Sequence, residues 1–479
     1  MSKLVLLAQI VNMAFFLTSM YAVVARKARL LISLLIWGMA FGNFCAYAGG
    51  LLWVPVKIVL IGVSLYCLVW SSTFARDLKR FVPIFTGAAV ILLFSLTAMF
   101  LLPPEVSVAA SGGQAFRPIL HTYHYLSYLA VLPVCLAAFP NARSIALFLN
   151  QYLLACAFSS VVALGQLAAY ALGLPFLPIL RIGGRTSTVA AFSSDAGSKV
   201  LRLYALAGEP KQLAILLCPA VLACIVLAAT GTPAERKRMR LLLVLIAPVF
   251  LMTFSTGAVF AALIAVAALA MMVGARMSKV ATSIVLGLGV VAVVTALIVP
   301  FLMTSQVDFF DLLHERTVGR IMAERHERFE LMILSFLWEE KPAGLVAGLG
   351  PGMYAYHIPG VFGFGGMGVA QINSGWIQLI VDLGLIGTLS IVFAIAHLLS
   401  VSAAQLRAQT AGGERGRAIH ACLIAGLIAA ACVNLGTFSL YSLALWFGVL
   451  STSYLRLQVA QPQGQALHPA MPPGSYVRG

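Results

Sequence analysis

The chain has 479 residues, of which 61% are hydrophobic and 10% are charged, and its mean hydropathy is +0.99. This composition excludes a soluble globular protein, because so few charged groups cannot cover a surface of this size, and apolar stretches long enough to cross a bilayer recur from end to end. The net charge of +16 does not indicate a nucleic-acid partner, since the positive residues lie in short loops where membrane topology and anionic lipid heads account for them.

We predict an all-α, polytopic protein with 12 or 13 transmembrane helices in a single domain, residues 1–455. The predicted spans are 4–24, 30–47, 51–71, 82–102, 124–139, 145–172, 206–229, 241–253, 257–273, 280–302, 374–399, 418–436 and 439–455. Basic residues of alternate loops share one face, which the bias of positive charge toward the inside makes cytoplasmic. The N-terminus is then outside and the C-terminus inside, unless one span is misread and both termini lie inside. The tail 456–479 is predicted to be disordered and cytoplasmic.

Two predicted outer segments, at 173–205 and 303–373, are too long to serve only as connections. In the second segment apolar residues recur at helical spacing, so we expect one or two amphipathic helices on the outer membrane surface. Their apolar residues are Phe309, Phe310, Leu312, Leu313, Val318 and Ile321 in one run, and Phe329, Met332, Ile333, Phe336 and Leu337 in the next. A glycine-rich stretch at 344–352 then turns the chain back toward the following span.

Three clusters of basic residues lie on the predicted outer side, against the usual bias of positive charge toward the cytoplasm. They are Arg181/Arg185, Lys199/Arg202/Lys211 and Arg316/Arg320/Arg325/Arg328. Guanidinium groups form paired hydrogen bonds with phosphate oxygens and stay charged at any physiological pH. The clusters therefore indicate a phosphate-bearing substrate on that side of the membrane.

Four motifs follow one another between residues 200 and 390. They are Arg202-Leu-Tyr-Ala-Leu-Ala-Gly-Glu-Pro-Lys-Gln212 before a span, Thr253-Phe-Ser-Thr-Gly257 at a tight turn, Arg328 with Pro342 and the Gly348–Gly352 turn, and Asn373-Ser-Gly-Trp at the start of a helix. This ordered series resembles the bacterial O-antigen ligase/polymerase superfamily, whose members carry a large outer loop between two late helices.

The resemblance implies a GT-C-like, metal-independent glycosyltransferase without a cofactor, placed in the bacterial inner membrane with its active site facing the periplasm. Such enzymes transfer oligosaccharides that are linked to undecaprenyl pyrophosphate, and positive groups would stabilise the departing pyrophosphate. Glu209-Pro210 fits the form associated with polymerases, so we expect a polymerase of repeat units for O-antigen, capsule or exopolysaccharide. Expected partners are the lipid-linked donor and acceptor, membrane lipids, a chain-length regulator and a flippase.

The resemblance places Arg202 and Arg328 on the donor pyrophosphate. A proton acceptor needs a pKa near ambient pH, and Glu209 and His357 are the catalytic candidates on the predicted outer side. The residues expected to bind pyrophosphate or sugar are Arg181, Arg185, Lys211, Arg320, His326, Tyr354 and Asn373. Tyr354 is included because aromatic rings commonly stack against sugars, and His326 is a further candidate base.

Two positions depart from the family pattern. Thr256 stands where relatives often carry Arg, and Ile372 stands where ligases typically carry a His before the Asn. A catalytic base at position 372 is therefore excluded, which counts against an O-antigen ligase acting on lipid A core. The ligase is kept as the first alternative function.

Other polar residues predict less specific roles. His121 and His124 lie three residues apart but have no neighbouring Cys or carboxylate, so they predict a polar lining rather than a metal site. The eight cysteines lie in or beside apolar spans and predict buried thiols. A lipid-linked oligosaccharide flippase or transporter is the second alternative, but it should show repeats and mid-membrane charges, whereas Lys57 and Asp382 lie near predicted span ends. A membrane partner without activity is a third, although it would leave the outer arginines without an evident use.

Overall fold

The computed structural model describes residues 2–48, 51–73, 79, 82–101, 117–174, 176, 179–180, 186–187, 191–193, 199–273, 329–357, 372, 374–408, 414–436 and 438–459. Within these residues the chain is helical, apart from one 3₁₀ turn and three short hairpins. The helices are α1 (Ser2–Val24), α2 (Ala28–Ala40), α3 (Pro55–Val69), α4 (Val82–Leu101), α5 (Arg117–Ala138), α6 (Ala142–Ala171), α7 (Pro210–Thr230), α8 (Pro233–Leu251), α9 (Thr256–Val273), α10 (Phe329–Glu339), α11 (Pro342–Ala347), α12 (Tyr354–His357), α13 (Gly375–Ala408), α14 (Glu414–Val433) and α15 (Leu440–Val459).

The hairpins were not predicted. Their antiparallel strands are β1 (Ala46–Ala48) with β2 (Leu51–Trp53), β3 (Ile179–Leu180) with β4 (Thr186–Ser187), and β5 (Ala191–Ser193) with β6 (Lys199–Leu201). The first hairpin shortens two predicted spans, because α2 ends at Ala40 and α3 begins only at Pro55. Proline favours this first helical position, since its missing N–H would have no partner there.

Six helices are long and apolar enough to cross a membrane: Val5–Val24, Pro118–Ala138, Ala142–Ala171, Pro210–Thr230, Gly375–Arg407 and Gly416–Val433. Four shorter apolar helices are Ala28–Ala40, Pro55–Val69, Val82–Thr97 and Gly257–Leu269. These helices confirm the prediction of a helical membrane protein with several spans. The count of 12 or 13 and the direction of insertion stay predictions, and the predicted span 280–302 lies outside the described residues.

The centre of the bundle is formed by α7, whose apolar side chains are buried nearly all round. It packs against α6, α8, α9 and α14. The helix begins at Pro210, four residues after the start of the predicted span 206–229, because the preceding residue Glu209 is extended and Pro210 occupies the first helical position. α8 begins eight residues before the predicted span, since Thr232 and Glu235 form a capping box that extends the helix through the basic residues 236–240.

One end of the bundle, which we call the basic end, collects positive residues of alternate loops. The Arg29 Nε donates to the carbonyl of Ala138 at 2.9 Å, and the Arg26 guanidinium lies 3.6 Å from the centroid of the Trp70 ring. Arg456 donates to carbonyls at the end of α5 from within the last turn of α15, which continues to Val459. The helical domain therefore extends four residues beyond the predicted boundary at 455, and residues 460–479 of the predicted tail lie outside the description.

The opposite end, which we call the cap end, carries a cap formed by α10, α11, α12 and the turn at 348–353, which we call the cap turn. Their apolar side chains form a separate cluster on the start of α13, comprising Ile333, Leu337, Leu349, Met353, Tyr354, Ile372 and Val381. The predicted apolar face of α10 is confirmed at Ile333 and Leu337, which are fully buried, but Met332 is exposed. The glycine-rich stretch contains the short helix α11 before its turn. The predicted apolar run at 309–321 lies outside the described residues.

Candidate functional site at the cap end

Polar side chains collect inside the bundle at the cap end, within the first turns of helices that begin there. We call them the polar cluster: Lys57 on α3, His121, His124, Tyr125 and Tyr128 on α5, Gln212 on α7, Asp382 on α13 and Tyr441 on α15. Ionisable residues within membrane-spanning helices are costly to bury, and so they mark functional sites more often than other residues.

Asp382 lies at the centre of a hydrogen-bond network and is fully buried. Its Oδ2 accepts from the Tyr125 hydroxyl at 2.7 Å, and its Oδ1 accepts from the backbone N–H of Gly352 at 3.0 Å. The Nδ1 of His121 lies 3.7 Å from Oδ2, and the Ser95 hydroxyl donates to the backbone carbonyl of Asp382. Both carboxylate oxygens are therefore satisfied, as burial of this group requires.

A break in α13 makes this network possible. Gly384 has φ 71° and ψ 179°, so the helix is interrupted two residues after Asp382. Gly348 also has positive φ, at 88°, and a Cβ at that position would lie 2.5 Å from the carbonyl oxygen of Asp382. The two glycines let the backbones of α13 and the cap turn approach, and the N–H of Gly350 donates to the same carbonyl at 3.2 Å.

Aromatic and imidazole rings continue the cluster along α5. The ring centroids of His121 and His124 are 6.0 Å apart, and the His124 ring stacks on Tyr128 at 6.3 Å. Lys57 lies within electrostatic range of His124. The Tyr441 hydroxyl donates to the Oε1 of Gln212 at 2.7 Å, which joins α15 to α7.

Residues 202–209, which we call the arginine segment, approach the polar cluster at Glu209, which lies within electrostatic range of Tyr441. Arg202 is half-buried, and its Nε donates to the carbonyl of Thr253 at 3.0 Å. Both Ala205 and Phe254 adopt φ 48°, a left-handed conformation that non-glycine residues seldom adopt. Gln166 of α6 holds the segment, since its Oε1 accepts from the N–H groups of Tyr204 and Ala205 at 3.1 Å. Such strain persists only where the surroundings impose it, and it is frequent at functional sites.

Glu209 ends the arginine segment and precedes the first residue of α7. Its Oε2 lies 3.2 Å from the Lys211 Nζ, and both side chains are about one-third exposed. The pair joins a predicted proton acceptor to a predicted phosphate ligand. On the facing loop, burial raises the pKa of Cys45 to about 11, against an opposing effect of the Lys57 charge and with a smaller raising effect of Glu209.

Two other predicted site residues lie in α12. His357 is fully buried, and Tyr354 belongs to the apolar cluster of the cap with 1% of its surface exposed. Tyr354 thus presents no open ring face for a sugar in this arrangement. Its predicted role and that of His357 stay predictions.

The remaining predicted site residues lie outside the described residues. These are Arg181, Arg185, Arg320, His326, Arg328 and Asn373. The structure therefore brings Arg202, Glu209 and Lys211 to the cap end, and His357 and Tyr354 into the cap itself. Asp382 and His121 were not among the predicted site residues. An acidic residue in the otherwise uncharged apolar run 374–399, two residues before a glycine, was the signal for Asp382.

No group of three or more His, Cys, Asp or Glu side chains suited to a metal ion occurs among the described residues. A groove of about 390 Å³ lies along α8 at the basic end, lined by Arg236, Lys237, Arg240, Leu241 and Val244, with Pro233 at its start. This groove lies at the opposite end of the bundle from the polar cluster. Its basic and apolar lining is typical of a helix at the surface of an anionic membrane.

No protein-family model matches the chain, and no curated protein matches it either. The resemblance to the O-antigen ligase/polymerase superfamily therefore rests on the motifs alone and stays a prediction.

Proposed function

We propose that the protein is a glycosyltransferase of the bacterial inner membrane that joins oligosaccharide repeat units carried on undecaprenyl pyrophosphate. The product would be an O-antigen, capsule or exopolysaccharide, and the cap end would face the periplasm. The observation that carries the proposal is the arginine segment. This segment holds the half-buried guanidinium of Arg202 at the cap end. Ala205 of the segment and Phe254, whose carbonyl contacts Arg202, both adopt a left-handed backbone conformation.

The chemistry of the leaving group explains why a fixed guanidinium is useful there. As the bond between the donor sugar and the pyrophosphate breaks, negative charge develops on the phosphate oxygens. A positive group that is already in place stabilises that charge without reorganisation. Arg202 is held by contacts with the carbonyls of Thr253 and Phe254, at 3.0 and 3.5 Å. A guanidinium has five N–H donors in a planar fork, and phosphate oxygens accept from such a fork in pairs.

The proposed site has further members. Lys211 lies nine residues after Arg202 and adds positive charge at the same end. Arg328 is proposed as the second pyrophosphate ligand, with Arg181, Arg185 and Arg320 as helpers. The polyprenyl chain would lie in a groove between helices, and the acceptor sugar would meet the donor under the loop 303–373, in a GT-C-like arrangement.

The test compares glycan ladders from cells that carry variant proteins. Arg202→Ala should abolish long glycan, and Arg202→Lys should restore little of it, because an ammonium lacks the fork of donors. Loss of one such transition-state contact typically lowers the rate about 10²- to 10³-fold. Arg240→Ala at the basic end is the matched control, with membrane levels measured for every variant. Normal ladders in Arg202→Ala cells would refute the proposal.

A deletion strain separates polymerase from ligase. Single repeat units on lipid A would support the polymerase, whereas complete polymer left on the lipid carrier would indicate the ligase.

A transporter of lipid-linked oligosaccharide is the second candidate. The observation in its favour is Asp382, a buried carboxylate beside the break in α13, because broken helices with buried charges are typical of transporter sites. Measurement of lipid-linked oligosaccharide on each side of membrane vesicles decides between them. Accumulation on the cytoplasmic side in the deletion strain would favour transport, and accumulation on the outer side would favour polymerisation.

A further inference from the structure

We infer that His121 is the proton acceptor of this site and that Asp382 positions it. The inference rests on the proposed function and supplies a group that the motifs leave unassigned. Transfer of a sugar to a hydroxyl group requires that the hydroxyl lose its proton as the new bond forms. The polar cluster contains an imidazole and a carboxylate arranged for that step.

The geometry supports a pair with unequal roles. The Nδ1 of His121 faces the Oδ2 of Asp382 at 3.7 Å, so Nε2, across the imidazole ring, points away from the carboxylate. The His121 side chain is 21% exposed, whereas Asp382 is fully buried. The buried carboxylate therefore lies where it can position the ring, and the partly exposed imidazole is available to a substrate. Pairing of a base with a buried orienting group is a recurrent arrangement in acid–base catalysis.

Asp382 has hydrogen-bond partners in addition to its contact with His121. The Tyr125 hydroxyl donates to Oδ2, and the N–H of Gly352 donates to Oδ1. Three separate elements, α5, α13 and the cap turn, thus determine where the carboxylate lies. Gly352 belongs to the cap turn. The Asp382 side chain therefore contacts both the cap turn and His121.

Two proton acceptors predicted from the sequence, Glu209 and His357, lie among the described residues and are less suited to accept the proton. Glu209 lies 3.2 Å from the ammonium group of Lys211, so its carboxylate is engaged in an ion pair. His357 is fully buried within the cap. His121 combines partial exposure with a carboxylate partner.

The proposed step conserves atoms and electrons. The oxygen of the acceptor hydroxyl bonds to C1 of the donor sugar, and its proton moves to Nε2 of His121. The bond between C1 and the pyrophosphate oxygen breaks, and its electron pair leaves with the pyrophosphate near Arg202. The imidazolium then returns the proton to water.

Other charged and polar groups surround His121. Asp382 faces it from α13, and His124 lies on its own helix with ring centroids 6.0 Å apart. Lys57 of α3 lies within electrostatic range of His124, and the Tyr125 hydroxyl contacts the same carboxylate oxygen. The variant series therefore includes Lys57→Met as a control for the neighbouring ammonium group.

The experiment uses purified full-length protein in proteoliposomes with undecaprenyl-pyrophosphate-linked repeat units as substrate. His121→Gln should lower the polymerisation rate about 10²- to 10⁴-fold, and added imidazole should restore part of the activity of His121→Ala. Asp382→Asn should lower kcat with little change in KM, because the imidazole loses the carboxylate that positions it, and Asp382→Glu should retain part of the rate. If Asp382→Asn does not fold, Tyr125→Phe provides a milder change in the same contact, with a smaller loss of kcat.

The outcomes separate the inference from the proposed function. A rate within threefold of wild type for His121→Gln, combined with loss of activity in Arg202→Ala, would overturn only the assignment of His121. A His121→Ala protein that loses activity without rescue by imidazole, together with an unchanged kcat for Asp382→Asn, would also overturn it. A wild-type protein that forms no polymer would overturn the proposed function and the assignment together.

Discussion

Replacement of Gly384 by alanine tests the contact between the break in α13 and the cap. Gly384 adopts φ 71°, and a Cβ there would overlap the carbonyl oxygen of Val346 and lie 2.5 Å from the nitrogen of Gly348. These neighbours are backbone atoms, so they cannot move aside as a flexible side chain would. We expect Gly384→Ala to displace α11 from α13 and to destabilise the protein.

The magnitude follows from two terms. Gly384 has φ 71° and ψ 179°, a region that essentially only glycine occupies, and holding another residue there costs roughly 1 to 3 kcal/mol. Overpacking of a tight contact costs about 1 to 3 kcal/mol more. The sum is roughly 2 to 6 kcal/mol, a large share of the stability of an ordinary domain. The cap should lose its attachment before the rest of the bundle unfolds, since α10 to α12 form an apolar cluster of their own.

The assay combines thermal unfolding of the purified protein with hydrogen exchange of peptides from residues 342–357. Gly384→Ala should lower the midpoint and increase exchange in the cap. Gly165→Ala in α6 is the matched control, because a Cβ there meets no atom within 4 Å. It should leave both measurements unchanged or raise stability by up to about 1 kcal/mol, the helix propensity difference between the two residues. An unchanged midpoint and unchanged exchange in Gly384→Ala would refute the close approach.

Three further predictions concern the cap end. Tyr125→Phe removes a donor from the buried carboxylate of Asp382 and should destabilise the protein by about 1 to 3 kcal/mol in chemical denaturation, whereas Tyr21→Phe on the exposed surface of α1 should change little. Gln166→Leu removes the acceptor of two backbone N–H groups in the arginine segment, so thermal unfolding should occur earlier, with loss of long glycan. Burial disfavours the thiolate of Cys45 and raises its pKa to about 11. The rate of maleimide labelling at Cys45 is the difference between the rates of wild type and Cys45→Ser, and it should be slow at pH 7 and rise steeply as the pH approaches 11.

Each of these predictions has an outcome that contradicts it. Equal stability of Tyr125→Phe and wild type would mean that the hydroxyl does not hold the carboxylate. Normal glycan from Gln166→Leu would separate the arginine segment from the reaction. Rapid labelling of Cys45 at neutral pH would show that the loop between α2 and β1 opens to solvent.

The sequence alone determined that this is a helical membrane protein, where most helices lie, and that Arg202 precedes a span. Those properties depend on local composition: continuous apolar runs require intrachain hydrogen bonding in a bilayer, and prolines mark helix starts. The tight turn at Thr253 and the glycine turn at 348–352 were likewise predictable. The small hairpin before α3 was not, because its residues are as apolar as those of a span.

Only the tertiary structure decided which polar residues meet. Asp382 contacts Tyr125 and Gly352, whose separations in sequence are 257 and 30 residues. Periodicity reports the face on which a side chain lies, but it does not identify the helix opposite that face. The break at Gly384 depends on the approach of another backbone, so the presence of a glycine in an apolar run was not enough to predict it. For this reason the arginine segment could be proposed from motifs, whereas the pairing of His121 with Asp382 required the packed bundle.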